Sequence, residues 1–504
     1  MAEPTTPAPR ATSNRSTVPV SDTFTQYISS QWAERDDATP SLRESARFAA
    51  ERRARISAMY PGKRLILPAG AAKVRSNDTD YAYRAHSAFA HLTGWGSDSV
   101  SGSVLVMEPR FQHDEHSIEP AAAGHDATLY FREAAGRDTD EFYANPEVGE
   151  FWTGPRPSLA QVAADLGLQT RALPAFSDVL DMTDAATLIV RDADRDVTDQ
   201  IDGRRLLAAD SESLETNEDA DLARDLSELR LTKDSFEIAE MRAAVAATKV
   251  GFDDVIADFP NVIAHPRGER LVEGTFNRRA RADGNTVGYD TIAASGDHAC
   301  ILHWTRNDGP VASGDLILID AGIELDSYYT ADITRTLPVS GTFTAIQRRV
   351  YEAVLEAADA AFAIVKPGIV FSDIHAEAMK VIATRTAEWG FLPVTAADSL
   401  EPEHQYHRRY MVHGTSHHLG LDVHDCAQAR RELYREGVLE ERMVFTIEPG
   451  LYFQPDDLTV PQEYRGIGVR IEDNILVTAA GAENLSISIP RTADEVEAWV
   501  LGGR

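Results

Sequence analysis

Only two of the 504 residues are cysteine, Cys300 and Cys426, so neither a disulfide framework nor a zinc knuckle organises this chain. Two isolated thiols read as small buried apolar side chains, which suits a reducing compartment. No stretch approaches the ~18 consecutive apolar residues of a membrane span. The first 37 residues, rich in Thr, Ser, Pro and Ala, hold no apolar core of a secretory leader. Positive charge is scarce too: 49 Lys and Arg face 80 Asp and Glu, a formal net charge of −31. A surface of that sign repels phosphodiester backbones and anionic lipid, which argues against nucleic acid and membrane as partners. The expectation is a soluble, cytoplasmic protein without internal repeats.

What is present is enough apolar material, 43% of the chain, for more than one core. Residues 1–40 read by composition as a disordered tail. A helical stretch from Ser41 to Tyr60, stopped by Pro61-Gly62, opens a region whose strand-like runs are Arg64–Pro68, Gly102–Met107 and Thr128–Glu133. Tyr81, Tyr83, Arg84, Phe89 and Trp95 form an aromatic cluster in a non-helical context, read as a core edge beneath a loop. From Asp192 to Asp221 the sequence turns polar and acidic, as a linker would. Asp234-x-x-Glu237 then has the form of a capping box, opening a helix with a buried stripe at Ile238, Met241, Val245, Phe252 and Val255. This divides the chain into domains at 41–230 and 231–504. In the second, helices at 346–365 and 372–389, the latter closed by Gly390, alternate with short strands.

The informative feature is where the acids of the second domain sit. Asp320 follows the aliphatic run Leu316–Ile319, Glu448 follows Val444-Phe445-Thr446-Ile447, and Glu472 follows Val469-Arg470-Ile471. A carboxylate at the end of a buried strand must be paired or bind a cation, since burying it bare costs several kcal/mol. Asp332 lies 12 residues after Asp320, a spacing that lets a hairpin bring the two face to face. Between them in interest stands His413-Gly-Thr-Ser-His417-His418-Leu-Gly-Leu-Asp-Val-His424-Asp425, with four of the chain's 15 histidines. Such a cluster points to a metal or catalytic site. Four carboxylates and one imidazole suit hard or borderline ions such as Mn²⁺, and their charge matches two dications.

Taken together, Ile319-Asp320-Ala-Gly, Asp332-Ile-Thr-Arg-Thr, the His413–Asp425 segment, Thr446-Ile-Glu448-Pro-Gly-Leu-Tyr452 and Arg465-Gly-Ile-Gly-Val-Arg470-Ile-Glu472-Asp resemble the bacterial aminopeptidase P signature. The likeness extends from about Ser41 to the C-terminus. It implies an α/β (α+β) protein with an N-terminal creatinase-like domain and a pita-bread metallopeptidase domain. It also implies an Xaa-Pro aminopeptidase using two Mn²⁺ ions, acting on peptides with proline second and self-associating as a dimer or tetramer. By position, Asp320 would hold the first ion, Asp332 and Glu472 would bridge both, and His417 and Glu448 would hold the second. His303, His413, His424 and Arg470 would line the substrate pocket, Glu448 would carry the proton, and His413 and His424 would hydrogen-bond the oxyanion. A prolidase and a non-catalytic pita-bread binding module share the fold. The first would need a group to capture the substrate carboxylate, and the second would lack ligands that are all present here. The loop between the two aspartates, with Asp326-Ser-Tyr-Tyr-Thr, is one residue longer than the family pattern.

Overall fold

Short, continuously buried runs build a mixed five-stranded sheet in the first half of the chain. Strand Lys63–Pro68 pairs antiparallel with Val104–Gln112 and parallel with Ala186–Ile189. Ala121–Phe131 and Gln169–Ala172 continue the sheet beyond Val104–Gln112. The computed structural model describes residue 19 and residues 21–77, 79–112, 121–182, 185–208 and 217–503. Helix Glu44–Met59 packs Phe48, Ala49 and Ile56 inward, and Pro61 and Gly62 (φ +74°) end it as the sequence indicates.

Three expectations change. The polar tail is not uniformly without structure: Asp22–Ile28 is a helix, Trp32 meets Phe142 edge-on, and Arg35 pairs with buried Glu150 at 2.8 Å. An aromatic ring and a guanidinium with partners on the sheet domain recover what composition alone could not credit; residues 1–18 and 20 lie outside the described residues. The acidic stretch from Asp192 to Asp221 is helical at Arg195–Ala208 and from Asn217 onward, its acids matched by Arg191 and Arg205 on Asp202 and Asp219. The aromatic cluster is partly helical, since Phe89 lies in helix Ser87–Thr93, which Gly94 (φ +73°) terminates.

After Leu231, helix Ser235–Ala257 opens on the capping box foreseen, with Asp234 Oδ1 accepting from Glu237 N–H and Glu237 Oε2 from Asp234 N–H. Asp234 also pairs with Arg52 of the first half at 2.7 Å, so the helix start is tied across the molecule. Strand Leu316–Ala321, buried throughout, is the centre of a three-stranded antiparallel sheet between Ile333–Pro338 and Ile292–Ser295. A second sheet pairs Val444–Ile447 with Asp473–Thr478, and a two-stranded ribbon pairs Gly450–Tyr452 with Gly468–Arg470. Glu472 N–H donates to the Thr334 carbonyl at 3.1 Å, stitching the two sheets edge to edge. Helices Ala345–Ala363 and Phe371–Glu388 cover this curved surface. Cys300 and Cys426 are free and buried, as expected of small apolar side chains. One continuous apolar core runs from Ile56 and Phe89 through Phe252 to Phe445 and Ile471, so both halves share it.

Candidate metal centre

The strand ends place the acids. Asp320 is the penultimate residue of its strand and Asp332 precedes the antiparallel neighbour, in a register that sets Asp320 opposite Thr334. Glu448 leaves strand Val444–Ile447, and Glu472 sits between Gly468–Arg470 and the strand beginning at Asp473. All four line one cavity of about 550 Å³, together with His303, His413, His417, His424 and Arg470. The structure therefore brings together the nine residues that the resemblance assigns to the site.

At the cavity floor, His417 Nε2 lies 3.2 Å from Asp332 Oδ2 and 3.4 Å from Glu448 Oε1. Asp332, His417 and Glu472 each offer an atom within 4.8 Å of the others. The His417 Nδ1–H donates to the His418 carbonyl at 3.2 Å, which fixes the tautomer and turns Nε2 toward the acids. Neighbouring hydroxyls orient the carboxylates: Tyr289 donates to Asp320 Oδ1 (2.6 Å), Thr334 to Glu472 Oε2 (2.7 Å) and Thr446 to Glu448 Oε1 (3.2 Å). Arg470 donates to Asp320 Oδ2 (2.5 Å) and to the Tyr452 hydroxyl (3.2 Å).

The electrostatics are unbalanced. Four acids face two cations, Arg470 and His417. Burial, with Asp332, Glu448 and Asp320 close by, pushes the Glu472 carboxyl well above the ordinary range. Burial and the same crowding raise Glu448 to about 7, and burial plus Asp332 raises Asp320 despite Arg470. Asp332 alone is lowered, because its hydrogen bond and charge contact with His417 outweigh burial. His417 is raised to about 9 against the cost of burial by Asp332 and Glu448. Oxygen ligands in excess, held by hydroxyls and a preset imidazole, are the donor set of hard divalent ions, so the residues present fit such ions.

His413 and His424 both line the cavity but differ in their partners. His413 is lowered to about 3, by burial first and by the Arg470 charge, so its ring is neutral. Its Nδ1–H donates to the Gly414 carbonyl (2.6 Å), leaving Nε2 to accept from the Tyr452 hydroxyl (2.8 Å). In this arrangement both His413 nitrogens are engaged within the chain. His424 stands edge-on to His417, ring centroids 4.5 Å apart, and its ring has no hydrogen-bond partner among the described residues. Sequence reasoning missed Tyr289, Thr334, Thr446 and Tyr452. Three of these stood in the quoted motifs, Thr334 and Thr446 two residues from Asp332 and Glu448 and Tyr452 four residues after Glu448; Tyr289 carried no such signal.

Residues 239–479 match metallopeptidase family M24, and residues 49–190 match the aminopeptidase P N-terminal domain. The chain is 49% identical over 472 residues to Xaa-Pro aminopeptidase 2 of Streptomyces coelicolor, covering 93% of this chain and 94% of that one. It is 33% identical over 474 residues to the Xaa-Pro aminopeptidase of Escherichia coli, covering 91% and 98%. A solved structure of zinc-substituted E. coli aminopeptidase P in complex with product superposes with a TM-score of 0.75 at 28% identity, over 92% of this chain and 100% of that one. With its creatinase-like N-terminal domain and its pita-bread domain carrying the acid-rich centre, the chain belongs to the aminopeptidase P group of metallopeptidase family M24.

Proposed function

We propose that this enzyme releases the N-terminal residue from peptides whose second residue is proline, using two divalent ions, Mn²⁺ by preference. The observation that carries the reading is the excess of buried carboxylate over cation at the floor of a histidine-walled cavity. The names of the relatives, Xaa-Pro aminopeptidases, supply the substrate class. Asp320 would hold one ion, His417 and Glu448 the other, with Asp332 and Glu472 shared. Residues 41–230 and 231–504 are the two domains, the second carrying the chemistry.

Such ions acidify a water and polarise a scissile carbonyl. The chain's own residues do the rest. Glu448 takes the nucleophile's proton at a carboxylate oxygen and returns it to the departing prolyl nitrogen. His424, whose ring N–H is free, donates to the oxygen that gains charge. His413 holds the Tyr452 hydroxyl, and through it the Arg470 that neutralises Asp320. Ile292, Leu302 and Val423 give the cavity an apolar side against which a pyrrolidine ring fits.

Cleavage rates of Ala-Pro, Ala-Pro-Ala and a longer Ala-Pro peptide test the substrate reading. Tripeptide and longer peptide are expected to be cleaved at least as fast as the dipeptide. Rapid cleavage of Ala-Pro with none of the other two would make the enzyme a prolidase. Chelation should abolish turnover and Mn²⁺ restore it; full activity in chelator would end the metal-dependent reading.

A further inference from the structure

Within the aromatic stretch of the N-terminal domain, Arg84 has no role in the chemistry above, yet its side chain leaves its own domain. Its Nε donates to Glu324 Oε2 at 2.7 Å, and its Nη2 donates to the Leu421 carbonyl at 2.6 Å, with Asp422 Oδ1 3.3 Å away. The guanidinium carbon lies 4.8 Å from the centre of the Tyr328 ring. Glu324 and Tyr328 belong to the loop between Asp320 and Asp332. Leu421 and Asp422 belong to the loop between His417 and His424. One planar cation thus spans the two loops that present four of the residues at the centre.

Its neighbours act in the same sense. Ser87 Oγ donates to Asp422 Oδ1 (2.6 Å), the Ala85 N–H to the Tyr328 hydroxyl (3.2 Å), and the Ser97 N–H to the Asp326 carbonyl (2.8 Å). Gly96 packs so closely on this loop that a Cβ there would lie 2.1 Å from the Asp326 carbonyl oxygen. Glu324, only 3% exposed, is held on its other oxygen by Asn285 (2.8 Å). The loops touch each other directly through the Thr330 N–H and the Gly420 carbonyl at 3.1 Å. His417, where one loop begins, lies 3.2 Å from Asp332, where the other ends. Two rigid donors in a fixed fork suit that task in a way that one flexible ammonium does not.

We propose that Arg84 is a positioning residue that sets the spacing between the Asp320–Asp332 loop and the His417–His424 loop, so that the N-terminal domain is part of the frame of the metal centre. The inference rests on the metal-centre reading given above. Its test is the full-length Arg84→Ala enzyme, with Arg84→Lys beside it. Outer partners of metal ligands are worth about 10–100-fold in metal affinity or activity. Arg84→Ala is therefore expected to bind Mn²⁺ at least about tenfold more weakly and to lose a similar factor in kcat, with KM for Ala-Pro-Ala nearly unchanged. Amide exchange should quicken selectively at 322–331 and 418–425, Arg84→Lys should fall between, and added guanidinium ion should restore part of the kcat lost by Arg84→Ala. Exchange unchanged in both loops, or wild-type Mn²⁺ affinity and kcat, overturns the proposal. So does a loss of activity that follows only the unfolded fraction and is not rescued by guanidinium. Chelator-insensitive turnover by the wild type would instead overturn the metal-centre reading, which the loop exchange does not depend on.

Discussion

Two buried ionic clusters lie eight residues apart in one segment, at His417 and at Asp425, and their charge balance is opposite. Asp425, 1% exposed, accepts from Arg230 at 2.9 Å and from fully buried Lys233 at 2.8 Å, and a third donor is the Cys426 N–H. Although burial raises it, those two cations hold its carboxyl far below the ordinary range. At the metal centre burial acts on four acids, two cations answer, and Glu472, Glu448 and Asp320 are pushed up instead. Both clusters lie mostly out of water, the acids of the metal centre along a cavity wall and Asp425 within the core. The difference is that one finds its counter-charges within the chain, whereas the other is arranged around positive charge that must come from outside. Charge balance, rather than burial or the number of acids, separates a carboxylate that holds the fold from one that holds a ligand.

Substitutions at the two clusters should therefore fail in different currencies. Asp332→Ala should cut turnover by more than about 10³-fold, several kcal/mol of barrier, since the shared ligand is gone. Glu472→Gln should do likewise while leaving the chelated protein about as stable as wild type, because burial and the neighbouring acids disfavour the charged carboxyl that it replaces. Steady-state kinetics and urea unfolding check both; a Glu472→Gln protein that unfolds early would remove the contrast. Asp425→Asn should instead cost about 3–5 kcal/mol of stability by stranding Arg230 and Lys233. An unfolding midpoint equal to wild type would mean that those cations need no partner. Within the catalytic cavity, His424→Ala should lower kcat by about 10²–10³-fold with metal content intact. His417→Ala should lose metal, and His413→Ala should have the smallest effect, displacing the Tyr452 hydroxyl. Equal metal loss in the His417 and His424 variants would refute that division.

The sequence made the centre legible because three of its four acids, Asp320, Glu448 and Glu472, end apolar-rich runs, and a buried run that ends in a carboxylate has few physical explanations. Strands and helices of the second half were legible for the same reason: Gly390 (φ +78°) and the Asp234–Glu237 box are local signals. What was not legible depends on partners far along the chain. Arg35 is ordered by Glu150, the acids near Asp202 by Arg191 and Arg205, and the Arg84 side chain by loops more than two hundred residues away. The contact of His413 with Tyr452 is of the same kind, because the hydroxyl beside its Nε2 comes from a separate strand.

The finest test of the comparison is the pH dependence of stability in the chelated protein. Glu448 rises from an ordinary 4.5 to about 7 on folding, so between those values the folded state binds more protons than the unfolded one. Its contribution is fully present below pH 4.5 and is lost as pH rises through 7, by up to about 1.4 kcal/mol per pH unit. His417, raised from 6.5 to about 9, extends the loss upward: its contribution is complete below 6.5 and gone above 9. Asp425 has the opposite sign, stabilising above pH 3.8 and failing as pH falls. The raw curve mixes these with histidines that burial, above all, keeps neutral, such as His91, His375, His413 and His418, which favour folding as pH rises toward 6.5. Those histidines are common to wild type and Glu448→Gln, so they cancel in the difference between the two unfolding curves, which reports Glu448 together with its influence on His417 and Glu472. Because Gln mimics the protonated acid, wild type should match the variant near pH 4.5 and fall progressively below it by pH 7. Saturating Mn²⁺ should abolish that fall in the wild type, since the ion takes the place of the proton on the same oxygens. A difference that stays flat from pH 4.5 to 7 in chelator would show that Glu448 is balanced within the chain, and the distinction between the two clusters would not hold.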